Sequence, residues 1–142
     1  MEKIKNNNKI ITRYTRSIEN PYLLVQRANK GVDSEDFFKF AELSKQNLSL
    51  LSSYLNLSIK TLSRYRRNRK KLTPDKSEQL LKWIGLYVKG IAIFGNISSF
   101  NRWLNKPAYG LNRAIPLSLM NTSTGIDLIM EELIRIEYGD LA

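Results

Sequence analysis

The stretch LSSYLNLSIKTLSRY, residues 51–65, decides the fold of the first half of this chain. Leu51 and Leu55 are one helical turn apart and therefore share a face. Asn56 follows them, and asparagine tolerates the left-handed backbone conformation that a tight turn between helices requires. Leu57 can then fill the corner. The spacing predicts a helix-turn-helix, two short helices that cross over a shared apolar corner.

The second helix of this motif begins after Ser58, whose side chain can cap it. Leu62 and Tyr65 then form its inner side, so the polar residues between them must point outward. These residue types can read bases, because Arg and Lys match guanine acceptors and Thr and Ser match several base edges. The predicted outward set is Lys60, Thr61, Ser63, Arg64 and Arg67.

A basic run follows directly and is suited to phosphates that flank the bases. The cations of this run are Arg66, Arg67, Arg69, Lys70 and Lys71. With Ser58 and the outward set, they complete the predicted DNA-binding residues. The alternative is a solvated face on an ordinary pair of helices, which is common in all-α domains.

The distribution of charge favours the DNA-binding interpretation. Residues 1–76 hold 17 Lys and Arg against 7 Asp and Glu, whereas residues 78–142 hold 6 of each. A domain that meets a polyanion concentrates cations, because phosphate neutralisation and counterion release supply most of the non-specific affinity. The asymmetry predicts a front half that meets duplex DNA and a back half with another partner.

The composition excludes several classes of function. The 142 residues include no cysteine and no histidine, which removes disulfides, thiolate metal sites and the commonest general base. We therefore expect no enzyme, no cofactor and no metal. The first eight residues lack the apolar core of a secretory signal. The most apolar stretch, residues 83–94, contains Lys89 and is shorter than the roughly 20 residues of a membrane span. These features predict a soluble cytoplasmic protein, associated with the nucleoid when bound to DNA.

Helical spacing and its stop signals recur along the chain and predict an all-α fold. We expect a flexible basic arm over residues 1–20, a helix-turn-helix DNA-binding and dimerisation domain over 21–95 and a small C-terminal domain over 96–142. The predicted helices cover residues 22–30, a segment capped by Ser34, 48–55, 58–67, 73–94, a short segment ending at Leu104, and a last helix from Thr122 to Gly139.

The long helix over residues 73–94 is apolar on more than one face, so it must be covered on several sides. A homodimer or higher oligomer would cover it, and a two-fold dimer would also suit a palindromic operator. In the C-terminal domain, Asp127, Glu131 and Glu132 lie on the last helix, where a solvated face is their expected role. Core packing alone would explain Trp103 and the Pro and Gly residues of this part.

The order of residues in the C-terminal part nevertheless resembles the toxin-binding domain of the Xre/MbcA/ParS antitoxins. The segments that carry this resemblance are 102–107 (RWLNKP), 116–119 (PLSL), Thr122, Gly125 and 133–139 (LIRIEYG). Upstream, residues 61–64 (TLSR), 71–74 (KLTP) and 77–78 (SE) are similar to the Xre-like DNA-binding region of that family. The chain departs from the family pattern in its single Gly110 and in Phe100-Asn101 before the Arg-Trp-Leu.

The resemblance implies an antitoxin of a type II toxin–antitoxin system. Its partner would be a RES-domain toxin, similar to ADP-ribosyltransferases, that consumes NAD. The antitoxin would block the toxin's active site with its C-terminal segment, and the pair would repress their own promoter. The implied toxin-binding residues are Trp103, Arg135, Glu137, Tyr138, Gly139, Asp140, Leu141 and Ala142. The alternative is a stand-alone dimeric transcriptional regulator whose C-terminal domain dimerises or senses a ligand.

Overall fold

The computed structural model describes the backbone of residues 2–139 and the side chains of residues 9–139. Within this range the chain forms eight α-helices and no β-strand, which confirms the predicted all-α class. The helices are α1 (Glu2–Glu19), α2 (Pro21–Lys30), α3 (Ser34–Ser44), α4 (Leu48–Tyr54), α5 (Ile59–Arg67), α6 (Pro74–Phe94), α7 (Ile97–Leu104) and α8 (Ser123–Glu137). Two 3₁₀ helices, Tyr109–Leu111 and Pro116–Leu119, connect α7 to α8.

The helix ends follow from local capping chemistry. Gly31 ends α2 with a φ of 85°, and Pro74 is the first residue of α6. Thr122 caps α8, where its hydroxyl accepts a hydrogen bond from the Gly125 amide at 3.0 Å. Ser34 does not act as the predicted cap. Asp33 occupies the cap position of α3, and Ser34 is a buried residue of the first turn.

The predicted flexible arm is replaced by helix α1 in the structure. Ile10 and Tyr14 are buried, and α1 packs on α2 and α3. The buried carboxylate of Asp36 on α3 accepts hydrogen bonds from the Tyr14 hydroxyl and from Arg13 Nη1, at 3.0 Å in the latter case. The positive charge and the asparagine content of residues 1–20 had indicated a flexible segment. The prediction failed because an apolar pair one turn apart and a buried acceptor on another helix hold α1.

The chain divides into two compact units, Met1–Ile84 and Gly85–Ala142, rather than at the predicted position 95/96. The division falls inside α6, so the end of this helix is not a domain boundary. The second half of α6 belongs to the C-terminal unit, where the Tyr87 hydroxyl donates a hydrogen bond to Asn101 Oδ1 at 2.7 Å. Tyr87 also meets the ring of Phe100 edge-on, with 4.9 Å between centroids.

The core of the N-terminal unit also includes residues of α3, α4, α5 and the first half of α6. Phe40 on α3 stacks on Trp83 of α6 with 5.7 Å between ring centroids. A buried polar group lies next to this core. The Ser77 hydroxyl accepts a hydrogen bond from the Val32 amide at 2.9 Å and donates one to the Leu72 carbonyl at 3.1 Å. The segments before α3 and before α6 are thereby held side by side. This arrangement places α5 at the surface of the unit.

Candidate interaction surfaces

The helix-turn-helix forms as its spacing predicts. Leu51, Leu55 and Leu62 are completely buried and share one corner. Asn56 has a φ of 56°, the left-handed conformation that was expected for the turn. The Leu57 amide donates to the Ser52 carbonyl at 3.1 Å and closes this turn. The corner therefore fixes which side of α5 faces solvent.

The exposed side of α5 carries three of the five residues predicted to point outward. Lys60, Arg64 and Arg67 are exposed, whereas Thr61 and Ser63 are half-buried. The Thr61 hydroxyl is also engaged locally, since it accepts a hydrogen bond from the capping Ser58 hydroxyl at 2.9 Å. The cations are thus presented to solvent, while Thr61 takes part in the start of the helix.

The basic run over residues 66–71 begins in the last turn of α5 and is exposed throughout, and two of its cations contact aromatic rings. The Arg66 guanidinium lies 3.9 Å from the ring centroid of Phe38, and its Nε is 4.0 Å from a carboxylate oxygen of Glu35. Lys70 Nζ lies 4.3 Å from the ring centroid of Tyr65. The aromatic contacts leave the positive charges in place, because a ring does not neutralise a cation, whereas Glu35 offsets part of the charge of Arg66. These contacts restrain the side chains of Arg66, in the last turn of α5, and Lys70, just after the helix.

In the C-terminal unit, Trp103 belongs to an aromatic cluster with Phe94 and Phe100. Its ring centroid lies 5.7 Å from that of Phe94 and 6.1 Å from that of Phe100. Phe100 approaches α6 at Gly90, where a β-carbon would lie only 2.4 Å from the Phe100 ring. Trp103 is half-buried, so one part of it packs in the cluster and the rest is accessible.

Glu132 differs from its predicted place on a solvated helix face. Its side chain is 2% exposed, and its Oε1 accepts a hydrogen bond from Arg135 Nε at 2.9 Å. Arg135 Nη2 also donates to the Gly110 carbonyl at 3.4 Å. The predicted toxin-binding Arg135 therefore holds the loop at Gly110 against α8. Asp127 and Glu131 are exposed, as expected.

The end of α8 presents the remaining predicted toxin-binding residues. Glu137 is exposed but paired, with Lys89 Nζ 2.6 Å from its Oε1. Tyr138 is 75% exposed, and Gly139 is exposed with a φ of 74°. Asp140, Leu141 and Ala142 lie outside the described residues. Tyr138 is the large exposed group at this end of the helix.

Sequence reasoning missed four exposed apolar side chains of the C-terminal unit: Tyr109, Ile115, Leu128 and Ile134. At 100° per residue, Leu128 and Ile134 lie roughly 120° apart around α8, and the exposed Asp127 and Glu131 fall between them. A signal was present in the sequence. Leu128 and Ile134 lie outside the face of α8 that helical spacing assigns to the core. Their positions in the sequence therefore indicate that they are exposed.

Among the residues that the structure describes, no group of three or more acidic side chains is arranged to hold a metal ion. In the same part of the chain, no helix by itself is long and apolar enough to cross a membrane. Helices α6 and α7 meet the criteria of length and composition only when joined across a bend of 107°.

Comparison with known proteins assigns a domain type to each unit. Residues 23–84 match the model of the antitoxin Xre-like helix-turn-helix domain. Residues 89–139 match the model of the antitoxin Xre/MbcA/ParS C-terminal toxin-binding domain. The two matches fall on either side of the division that the structure places inside α6.

Three curated relatives are named Antitoxin Xre. The chain is 29% identical to that of Pseudomonas putida over 68 residues, 48% of this chain and 43% of the relative. It is 26% identical to that of Photorhabdus laumondii over 84 residues, 58% and 57% of the two chains. It is 27% identical to that of Yersinia enterocolitica over 81 residues, 56% and 55%. The matched region spans about half the length of these relatives.

The fold and the matched domains define a two-unit protein in which a helix-turn-helix unit precedes a toxin-binding unit. The chain belongs to the Xre-type antitoxin family. This confirms the resemblance found in the sequence. Both matched domains are binding domains, which also confirms the prediction that the chain is not an enzyme.

Proposed function

We propose that this protein neutralises a RES-domain, NAD-consuming toxin and represses its own operon. The observation that carries the proposal is the match of each compact unit to a different domain of Xre-type antitoxins. A toxin-binding domain beside a DNA-binding domain lets one chain hold the toxin and occupy the promoter. The match also favours this function over a regulator with a ligand-sensing domain.

The toxin-facing surface in this proposal is the exposed side of α8 with the loop before it, where Leu128 and Ile134 lie on either side of Asp127 and Glu131. Leu128 is 43% exposed, Ile134 39% and Tyr138 75%. Tyr109, 78% exposed, precedes Gly110, whose carbonyl accepts a hydrogen bond from Arg135 of α8. Exposed apolar groups around an aromatic anchor are typical of interface centres. Trp103 remains a candidate contact through its accessible part.

The C-terminal segment, residues 135–142, is the proposed block of the toxin's active site. Tyr138 and Gly139 are exposed at the end of α8, so a chain that continues beyond them starts from an accessible point. Arg135 and Glu137 are paired with Glu132 and Lys89. We therefore assign the direct contact to Tyr138 and the residues after it, with Arg135 and Glu137 holding the helix end in place.

Repression would come from α5, whose Lys60, Arg64 and Arg67 are exposed on one element. A homodimer would let two such helices meet successive turns of a palindromic operator, about 34–36 Å apart.

The first part of α6 is covered by its own chain, so its apolar side chains do not need a partner chain to cover them. Leu80, Leu81, Trp83, Ile84, Leu86 and Tyr87 are completely buried within one chain. The half-buried Val88, Ile91, Ile93 and Phe94 are the part of α6 left for a dimer contact.

The test is co-expression with a RES-domain toxin, with cellular NAD and growth as readouts. We expect protection by the full chain and loss of protection in the Ile134→Asp variant and in a chain that ends at Gly139. Asn121→Asp adds the same charge at an exposed position and should protect fully. Purified variants are compared by circular dichroism and DNA binding to show that they fold.

Full protection by both altered chains would place the inhibitory contact elsewhere, with the surface around Trp103 as the next region to change. Failure of the unaltered chain to restore growth or NAD would contradict the antitoxin function itself. DNA binding is measured separately on the region upstream of the gene, so the two halves of the proposal are tested independently.

A further inference from the structure

Helix α1 lies before the region that the helix-turn-helix family model covers, which begins at residue 23. It is nevertheless fixed to the rest of the N-terminal unit. Ile10 is 1% exposed and Tyr14 is completely buried. The Arg27 guanidinium of α2 lies 5.1 Å from the Tyr14 ring centroid. The inner side of α1 is therefore committed to packing, which leaves its outer side for another role.

The outer side of α1 is basic. Lys9, Thr12 and Arg16 are exposed, and their spacing of three and four residues places them on one face of the helix. Arg13, beside them, keeps 42% of its side chain exposed although it pairs with Asp36. Arg13 has a structural role, because it pairs with the buried carboxylate of Asp36. It does not account for Lys9 and Arg16, which lie on either side of Arg13 along the helix.

The first turn of α3 connects α1 to the DNA-binding helix. Asp36 holds Arg13 of α1, with Arg13 Nη1 3.0 Å from its Oδ2. The neighbouring Glu35 holds Arg66 of α5, with Arg66 Nε 4.0 Å from its Oε2. Two consecutive residues thus anchor α1 and the C-terminal end of α5. Arg66, at the start of the basic run, and Arg13 of α1 therefore contact the same turn of α3.

We propose that α1 is a second DNA-contacting element, whose Lys9–Arg16 face binds backbone phosphates beside the base pairs that α5 meets. The inference rests on the proposed DNA binding by α5 and extends its footprint. Cations on a helix that is packed against the rest of the unit can position the protein on DNA without reading sequence. Each phosphate that they neutralise adds to affinity through counterion release.

The experiment compares the full chain with a Lys9→Gln/Arg16→Gln double variant on the duplex upstream of the gene, over a series of KCl concentrations. We expect the slope of log K against log salt to become shallower by about 1.8, about 0.9 for each phosphate that is no longer neutralised. Lys106→Gln/Arg113→Gln removes the same charge from exposed positions of the C-terminal unit and should leave the slope unchanged. Glutamine supports a helix nearly as well as lysine and arginine.

A second comparison uses a shorter duplex. Its length is set by hydroxyl-radical footprinting of the double variant, so that it contains only the base pairs that this variant protects through α5. On it, the full chain and the Lys9→Gln/Arg16→Gln variant should bind equally, because the flanking phosphates are gone. An unchanged salt slope in a folded double variant would overturn the role of α1 while leaving binding by α5 intact. Absence of any duplex binding by the full chain would overturn the proposed repression, and this inference with it.

Discussion

The α-carbon of Gly125 lies directly against the carbonyl oxygen of Leu119, so that a β-carbon at residue 125 would be only 2.0 Å from that oxygen. This contact joins the 3₁₀ helix Pro116–Leu119 to the first turn of α8. Thr122 caps the same turn through the Gly125 amide. The Pro-Leu turn, the threonine and the glycine that mark the family pattern therefore meet at one place.

Replacing this glycine should loosen the C-terminal unit. We expect Gly125→Ala to lower the free energy of unfolding by about 1–3 kcal/mol, because the backbone of Leu119 must move to admit a methyl group. Thr124→Ala, at the adjacent exposed position of the helix, should have little effect. Urea unfolding followed by circular dichroism measures both. Equal stability of the two variants would contradict the contact.

Arg64 should contribute to sequence recognition by α5. Arg64→Ala is expected to weaken binding to the operator by about 1–3 kcal/mol if the guanidinium reads a base edge. Lys70→Gln is the comparison, since a phosphate contact should weaken binding to operator and random duplexes alike and reduce the salt slope. Fluorescence anisotropy on both duplexes distinguishes the two. An equal loss on both duplexes for Arg64→Ala would show that it, too, meets only phosphate.

Arg135 should stabilise the C-terminal unit through the buried carboxylate of Glu132. Arg135→Gln removes the donor at 2.9 Å and leaves that carboxylate without its cation, at an expected cost of about 1–3 kcal/mol. Glu132→Gln/Arg135→Gln removes both charges and should cost less than the sum of the single changes, because paired groups are not additive. Chemical denaturation of the single and double variants gives the coupling. Strict additivity would show that the pair does not act as a unit.

Stability should also fall at alkaline pH because of Tyr14. Burial, followed by its hydrogen bond to Asp36, raises the pKa of the Tyr14 phenol above its ordinary value of 10.0. The unfolded chain therefore loses this proton at a lower pH than the folded chain does. The stabilisation is complete below pH 10 and is lost as the pH rises above it.

Tyr14→Phe removes this titration, so the variant should be less stable than the original chain at neutral pH but lose less stability between pH 9 and 11. Thermal unfolding over this range measures the difference. Tyr22, which is 70% exposed, serves as the control, and Tyr22→Phe should follow the original chain. Parallel pH profiles for Tyr14→Phe and the original chain would contradict the assignment.

Much of the fold could be predicted because its signals are local. Asn56 in the left-handed turn, Ser58 at the start of α5 and Gly31 after α2 each act on neighbouring backbone, so their residue types suffice. The exposed cations of α5 follow from helical spacing once Leu62 is inside. Features that join distant segments carried no such signal, which is why α1, the buried Glu132 and the packing role of Arg135 were not foreseen.

The sequence by itself determined the helices after α1, most of their caps and the segregation of positive charge in the first 76 residues. It also determined the family, through the order of Trp103, Pro116, Gly125 and the closing segment. Only the tertiary structure decided that Asp36 holds α1 and that Gly110 and Arg135 cover Glu132. It also left Leu128 and Ile134 exposed on α8. The physical reason is that burial and pairing depend on which side chains from distant segments meet, whereas caps and turns depend on the few residues beside them.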